Sequence, residues 1–392
     1  MSINTRVKMA EAELNSKLIE EMRRRVGKKL YVEDVIFHDK ATKRAIARFA
    51  DAIGDPNPLW KDLDYAKKTR YGDIVAPPSW IFSALSGVQF GWKGLAGFHI
   101  ATKNVFFRPI FLDDSLDFEA TYLGFEGPKE SRFAGKVVID SFEERYFNQQ
   151  NNELIAISIR KVLRAERKKA RMLSYYADLE LPHPWKEEEL KKIEEEVMNV
   201  KIRGNKIRYW EDTEPGQELY ELVKGPLGII DMVAAMSVGL APAHIATQAV
   251  ALQEYKRRPA WAFRDPDTFA MEPLLAVHYN KEAARAMGLP YPYDLGPQRQ
   301  SWYIQHLTNW IGDDGWIKSC YAEYRRFVFL SDVIRFKSKV VRKYIDQDGE
   351  PCIDIETNTF NQRRENVLFG IATVVLPSRD MNFHPLDKRI RR

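Results

Sequence analysis

Cysteine is nearly absent from this chain. Cys320 and Cys352 are the two in 392 residues, too few for a disulfide framework and without metal-ligand spacing. A reducing compartment, the cytoplasm, is therefore the expected location. Long apolar runs are also missing. The longest, Val367 to Leu376, is interrupted by Gly370 and is about half the length of a membrane span. The first residues, Met1 to Glu11, hold no apolar leader core. No membrane association is expected. Charge of one sign is scarce too, since 60 Lys and Arg stand against 55 Asp and Glu for a net charge of +5. Part of that excess sits in the tail at Lys388, Arg389, Arg391 and Arg392, and no clustered basic face marks a nucleic-acid binder.

What is present fits an ordinary globular protein of two or three domains, with 45% hydrophobic and 29% charged residues. The chain also repeats itself. Arg108 to Phe118 (RPIFLDDSLDF) matches Arg326 to Phe336 (RFVFLSDVIRF) at an offset of 218 (326 − 108). Phe147-Asn148-Gln149 recurs as Phe360-Asn361-Gln362, and each is followed by an apolar strand. Upstream the offset falls to about 185, where Ala45 to Gly54 faces Ile230 to Gly239. The second copy thus carries an insertion of about 33 residues within 240–273.

Each copy is predicted to open with a short helix, Ala41 to Ile53 or Gly228 to Val238. A longer amphipathic one follows, Ser79 to Phe90 or Gln298 to Ile311. Four β-rich segments come next: Ile100–Phe107, Leu116–Leu123, Ala134–Phe142 and Ile155–Leu163, then Ser319–Phe327, Val333–Val341, Ile353–Thr359 and Val367–Leu376. The expected division is 1–29 as a helical extension, 30–165 as the first unit, 166–204 as a charged helical linker and 205–392 as the second unit.

Residues Gly54-Asp55-Pro56-Asn57-Pro58-Leu59, with Ala66 beyond, resemble the hydratase motif of the MaoC-like acyl dehydratases and R-specific enoyl-CoA hydratases. That motif reads G-D-x-N-P, an aliphatic residue and a histidine. The resemblance implies the hotdog fold, a long helix wrapped by an antiparallel sheet. Two units in one chain imply an α+β double hotdog whose sheets join edge to edge around a pseudo-twofold axis. It also implies hydration of a 2-enoyl-CoA or dehydration of a 3-hydroxyacyl-CoA, with CoA as part of the substrate and no other cofactor or metal.

That chemistry needs a base for the attacking water, an acid for Cα and a donor to the thioester oxygen. In the family, Asp and His grip the water, and a glycine N–H at the start of the central helix serves the oxygen. The first copy keeps Asp55 and Asn57 but has Trp60 at the histidine position and Pro78, which lacks an N–H, at the glycine position. Its Asp-Pro-Asn-Pro run also reads as a structural turn, with Asp55 as a capping residue. In the second copy the same offset gives His278 for Trp60 and Gly296 for Pro78, while Asp55 maps to Pro273. Glu272 and Asp294 are the nearby carboxylates that could partner His278.

The bland alternative for His278 is a half-buried structural histidine. His99 is reserved as a second histidine, near the start of a β segment that faces the substrate tunnel in similar proteins. Arg108 and Arg326, with Arg325, are candidate contacts for a CoA phosphate. The expected function is acyl-CoA hydratase or dehydratase. The alternatives are a non-catalytic acyl-CoA-binding partner subunit and an acyl-CoA thioesterase. A homo-oligomer, or a hetero-oligomer with another hotdog protein, is expected.

Overall fold

Ten strands form one antiparallel sheet in the computed structural model, which describes residues 2–85, 91–241 and 245–390. The strands are β1 (Lys29–Leu30), β2 (Leu95–Phe106), β3 (Leu116–Ser131), β4 (Gly135–Asn148), β5 (Leu154–Glu166), β6 (Leu222–Lys224), β9 (Trp316–Tyr324), β10 (Ile334–Ile345), β11 (Pro351–Asn361) and β12 (Asn366–Val375). A separate two-stranded hairpin, β7 (Ala262–Arg264) with β8 (Met271–Pro273), lies in the insertion. The sheet order is β1-β3-β4-β5-β2-β9-β12-β11-β10-β6, which reads the same from either end once the second copy is laid over the first.

The two halves meet where β2 pairs with β9. Lys103 there lies opposite Tyr321, and 321 − 103 is the 218 of the sequence repeat. A residue paired with its own equivalent marks a twofold axis. The duplication is thus written into the register, and each unit covers the other's sheet edge instead of leaving unpaired backbone in solvent.

The strands follow from alternation. In β4 the buried residues (Val138, Asp140, Phe142, Glu144, Tyr146 and Asn148) alternate with half-buried ones, and β11 and β12 do the same. The second unit's central helix spans Gly296–Ile311, and every residue from Pro297 to Ile311 is buried. Several of its polar groups find partners inside: Gln300 donates to Asn104 Oδ1 at 3.0 Å, Gln305 to the Gly54 carbonyl at 3.0 Å, and His306 Nε2 meets Ser338 Oγ at 2.7 Å.

The first unit differs from expectation. Of the helix read from Ser79 to Phe90, the structure shows a 3-10 turn, Pro78–Trp80, and one helical turn, Ile81–Ala84. Residues 86–90 lie outside the described residues. Leu85 is extended, because the Ala84 carbonyl accepts from the Phe37 N–H and the Leu85 carbonyl from Tyr146 Oη. Those two carbonyls are taken by other elements instead of by a next helical turn. Within 1–29 the structure has a helix over Ser16–Arg23, and within 166–204 it has helices over Arg167–Leu173 and Glu187–Met198.

Candidate functional site

The two motif copies occupy equivalent places and have opposite outcomes. In the first unit, Asp55 Oδ1 accepts from the Asn57 N–H at 3.0 Å, and Asn57 Oδ1 accepts from the Leu59 N–H at 3.0 Å, so the Asp-Pro-Asn-Pro run is a self-capped turn. The other carboxylate oxygen, Oδ2, accepts from Trp60 Nε1 at 2.9 Å. Asp55 and Trp60 are both buried, and the space left around Trp60, Pro78 and Trp316 is a cavity of about 30 Å³. Arg108 lines this small cavity and is paired with Asp114 at 3.3 Å and Glu153 at 3.1 Å.

In the second unit, a cavity of about 960 Å³ opens where the first has almost none. His278, at the end of a 3-10 helix over Leu274–His278, lines it together with Pro273, Asp294 and Gly296. His278 Nδ1 lies 2.8 Å from the Tyr293 carbonyl. A carbonyl only accepts, so Nδ1 carries the hydrogen and Nε2 of the neutral ring carries the lone pair. Burial pulls this imidazole down to about 4, only partly offset by the bond to Tyr293, so it is neutral at physiological pH.

Gly296 is the first residue of the central helix, where an N–H has no partner within the helix. The neighbouring Pro297 has no N–H. A side chain at 296 would collide with His99, whose Nδ1 lies 2.2 Å from where a Cβ would stand. His99 reaches across from β2 of the first unit, its Nε2 2.7 Å from Thr102 Oγ1 and its ring edge-on to Tyr324 at 5.0 Å. Burial, with Arg160 next, drives His99 well below the usual histidine range.

The two carboxylates named from sequence stand apart from the imidazole. Glu272 is outside the cavity lining and accepts from Tyr279 Oη at 3.1 Å. Asp294 lines the cavity, but both its oxygens accept from the Arg299 guanidinium, Oδ2 from Nε at 2.7 Å. Arg299 also donates to the carbonyls of Arg326 and Val367, locking the helix start to β12 and to the turn after β9. The imidazole's orienting partner is therefore a backbone carbonyl, which no side-chain pattern announces.

Elsewhere the lining divides by chemistry. Phe98, Phe133, Tyr176, Tyr293 and Phe327 form an aromatic wall, with ring centroids 5.3 Å apart for Phe98–Phe327 and 4.9 Å for Tyr293–Phe327. Arg325 and Arg326 are exposed at the rim, Arg326 over the Tyr175 ring at 5.9 Å. The insertion covers another side through its helix Gln248–Arg257, which contributes Val250, Ala251, Glu254 and Tyr255. His244 lies outside the described residues. Among the described residues no group of His, Cys, Asp and Glu could hold a metal ion, and no helix is long and apolar enough to cross a membrane.

Comparisons with known proteins agree with this architecture. Residues 34–156 match the family model described as FAS1-like, dehydratase domain region. A UPF0336 protein from Streptomyces avermitilis is 31% identical over 87 residues, covering 20% of this chain and 58% of the relative. One from Parafrankia sp. is 42% identical over 57 residues, covering 14% and 36%. The chain thus spans little more than half, or less, of these relatives. Among solved structures, a MaoC-like dehydratase superposes with a TM-score of 0.61 at 13% identity, covering 91% of this chain and 99% of the other. A putative MaoC domain protein dehydratase from Chloroflexus aurantiacus gives 0.58 at 13% identity, over 94% and 99%. A conserved hypothetical protein from Mycobacterium tuberculosis, described as a double hotdog fold, gives 0.50 at 11% identity, over 90% and 96%. The chain has the double hotdog fold of these proteins, and residues 34–156, within its first unit, are similar to the FAS1-like dehydratase region.

Proposed function

We propose that the chain adds water to a 2-enoyl-CoA thioester, or removes it from the 3-hydroxyacyl counterpart, in the cavity of the second unit. His278 Nε2 takes a proton from water as the oxygen bonds to Cβ. The π electrons move through Cα to the thioester oxygen, which the Gly296 N–H holds at the positive end of a sixteen-residue helix. The imidazolium then returns the proton to Cα, and the carbonyl reforms. A ring whose conjugate acid titrates near 4 enters neutral and, once charged, is a strong acid, which suits the second half of the step. Tyr293 holds the ring through its carbonyl, and Asp294 acts at one remove by fixing Arg299 and the helix start. Arg326 and Arg325 at the rim are the proposed contacts for CoA phosphate.

The observation that carries this reading is His278 on the wall of a large cavity that also receives the helix start at Gly296. The test is His278→Ala, assayed by loss of enoyl absorbance and by CoA-thioester binding. General-base loss lowers turnover by about 10²–10⁴-fold while binding stays within a few-fold. Undiminished hydration in the variant ends the reading.

A second reading, an acyl-CoA-binding subunit without turnover, has one observation in its favour. The aspartate position is Pro273, and no carboxylate bonds to the imidazole among the described residues. Tight thioester binding by the pure wild-type chain with no hydration, over a panel of enoyl chain lengths, distinguishes it.

A further inference from the structure

The deep wall of the large cavity is polar in a way an unadorned hydrocarbon tail does not explain. Arg160 and Arg164 line it from β5 and Arg167 from the first position of the helix Arg167–Leu173, all at least nine-tenths buried. Arg160 is backed by Glu144 at 2.9 Å and Arg164 by Asp140 at 2.6 Å, both carboxylates on β4 and behind the lining. Asp140 is held in turn by Trp92 Nε1 at 2.6 Å and Tyr122 Oη at 2.9 Å. With Asp140 so anchored, the far end of Arg164 is thrown across β2. Its Nη1 occupies the space above Gly97 where a side chain would stand, 2.5 Å from the position of a Cβ. Glycine at 97 is what lets the guanidinium lie there.

Arg167 differs from its neighbours. It donates to the Ala10 carbonyl at 2.6 Å and the Leu95 carbonyl at 3.2 Å, no carboxylate pairs with it among the described residues, and its Nε has no hydrogen-bond partner. Arg160, Arg164 and Arg299 each pair with a buried carboxylate, Glu144, Asp140 and Asp294 respectively, and Arg167 does not. An unpaired buried charge is costly and calls for a partner. Burial already pulls this guanidinium down to about 10, with the more distant Glu11 only partly offsetting it.

The spacing along β2 gives the wall a scale. His99 touches Gly296, where the thioester oxygen belongs on the proposed function. Gly97, under Arg164, is two residues back along the strand, about 7 Å, and Leu95, bound by Arg167, is four back, about 13 Å.

We propose that the acyl part of the substrate carries a carboxylate at its far end, received by Arg167 and Arg164. This rests on the proposed function for the placement of the thioester and narrows the substrate to a monothioester of a dicarboxylic acid. A single negative charge matches the one guanidinium of the four that lacks a carboxylate partner among the described residues, and a planar carboxylate matches the two-donor fork of arginine. The more highly charged CoA phosphates belong with the exposed Arg325 and Arg326.

The test is calorimetric binding to the wild-type chain of two saturated six-carbon thioesters, adipoyl-CoA and hexanoyl-CoA, which cannot be hydrated. Adipoyl-CoA is expected to bind at least about tenfold more tightly. Arg167→Met is expected to abolish that preference by weakening adipoyl-CoA alone, and Arg167→Lys, which keeps the charge but not the fork, to restore part of it. Equal binding of the two thioesters by the wild type overturns the proposal and leaves the proposed function standing. So does a loss in Arg167→Met that hexanoyl-CoA or free CoA shares, since the arginine would then serve the fold or the CoA phosphates. Binding of neither thioester overturns both.

Discussion

Alanine at position 296 probes a place where the first unit presses a side chain against the start of the central helix. A methyl group on that Cα would stand 2.2 Å from Nδ1 of His99, 2.6 Å from its Cγ and 2.8 Å from its Cβ. Comfortable contact is about 3.5–4.0 Å, so ring or helix must retreat by roughly 1 Å or more. Neither is free to do so. The ring is held by Thr102 at one nitrogen and by its perpendicular contact with Tyr324, and the helix is buried along its length. Overpacking of this kind costs about 1–3 kcal/mol, read as a lowered urea midpoint at unchanged slope. His99→Ala removes the obstructing ring, so Gly296→Ala in that background is expected to cost less than the two single losses combined, with a coupling of about 0.5–3 kcal/mol. A Gly296→Ala protein with the wild-type midpoint, or a double variant whose loss is strictly additive, would refute this account of why the position is glycine.

Two further outcomes follow from the same geometry. Trp60→His restores the motif histidine to the first unit, yet Pro78 still offers no N–H and the surrounding space is only about 30 Å³. The change is expected to destabilise by about 2–3 kcal/mol through the cavity it opens and, assayed in a His278→Ala background, to bring no hydration. The pH profile of kcat/KM reports the free-enzyme imidazole. With His278 pulled down to about 4, the fraction in the reactive neutral form is nearly constant from pH 5 to 8 and falls only as pH drops towards 4. An acid limb centred near 6.5 that vanishes in His278→Gln would contradict this.

Much of the architecture was legible because it repeats. The offset of 218 that aligns Arg108 with Arg326 is also the number separating Lys103 from Tyr321 at the strand pair on the pseudo-twofold axis. It carries Trp60, at the end of one 3-10 helix, onto His278, at the end of another. It likewise carries Pro78, first in its 3-10 turn, onto Gly296, first in the central helix. What sequence could not supply was direction. Glu272 and Pro273 are adjacent on β8, and neighbours on a strand face opposite ways, so the proline meets the cavity and the carboxylate turns to Tyr279. Asp294 precedes the helix, outside any helical spacing that would pair it with Arg299. The partner of His278 is a carbonyl, which every residue has. The short first helix escaped notice because Phe37 and Tyr146, distant in sequence, take the carbonyls of Ala84 and Leu85.

The asymmetry between the units has a geometric logic. In a twofold arrangement each motif faces the opening strand of the other unit, so the two sites share one sheet and compete for its inner surface. Trp316, at the start of β9, lines the small cavity beside Pro78, as His99, near the start of β2, lines the large one beside Gly296. Two indoles fill the equivalent place in the first unit, and Asp55 is tied to one of them, so little space is left there. The first unit's inner face, with His99, Arg160 and Arg164, is then available to wall the second site. A symmetric pair of open sites would need two such walls and two insertions to cover them. The filled cavity of the first unit supports the core and lends its sheet to the other, so the tryptophan at position 60 and the large cavity at His278 belong to one arrangement.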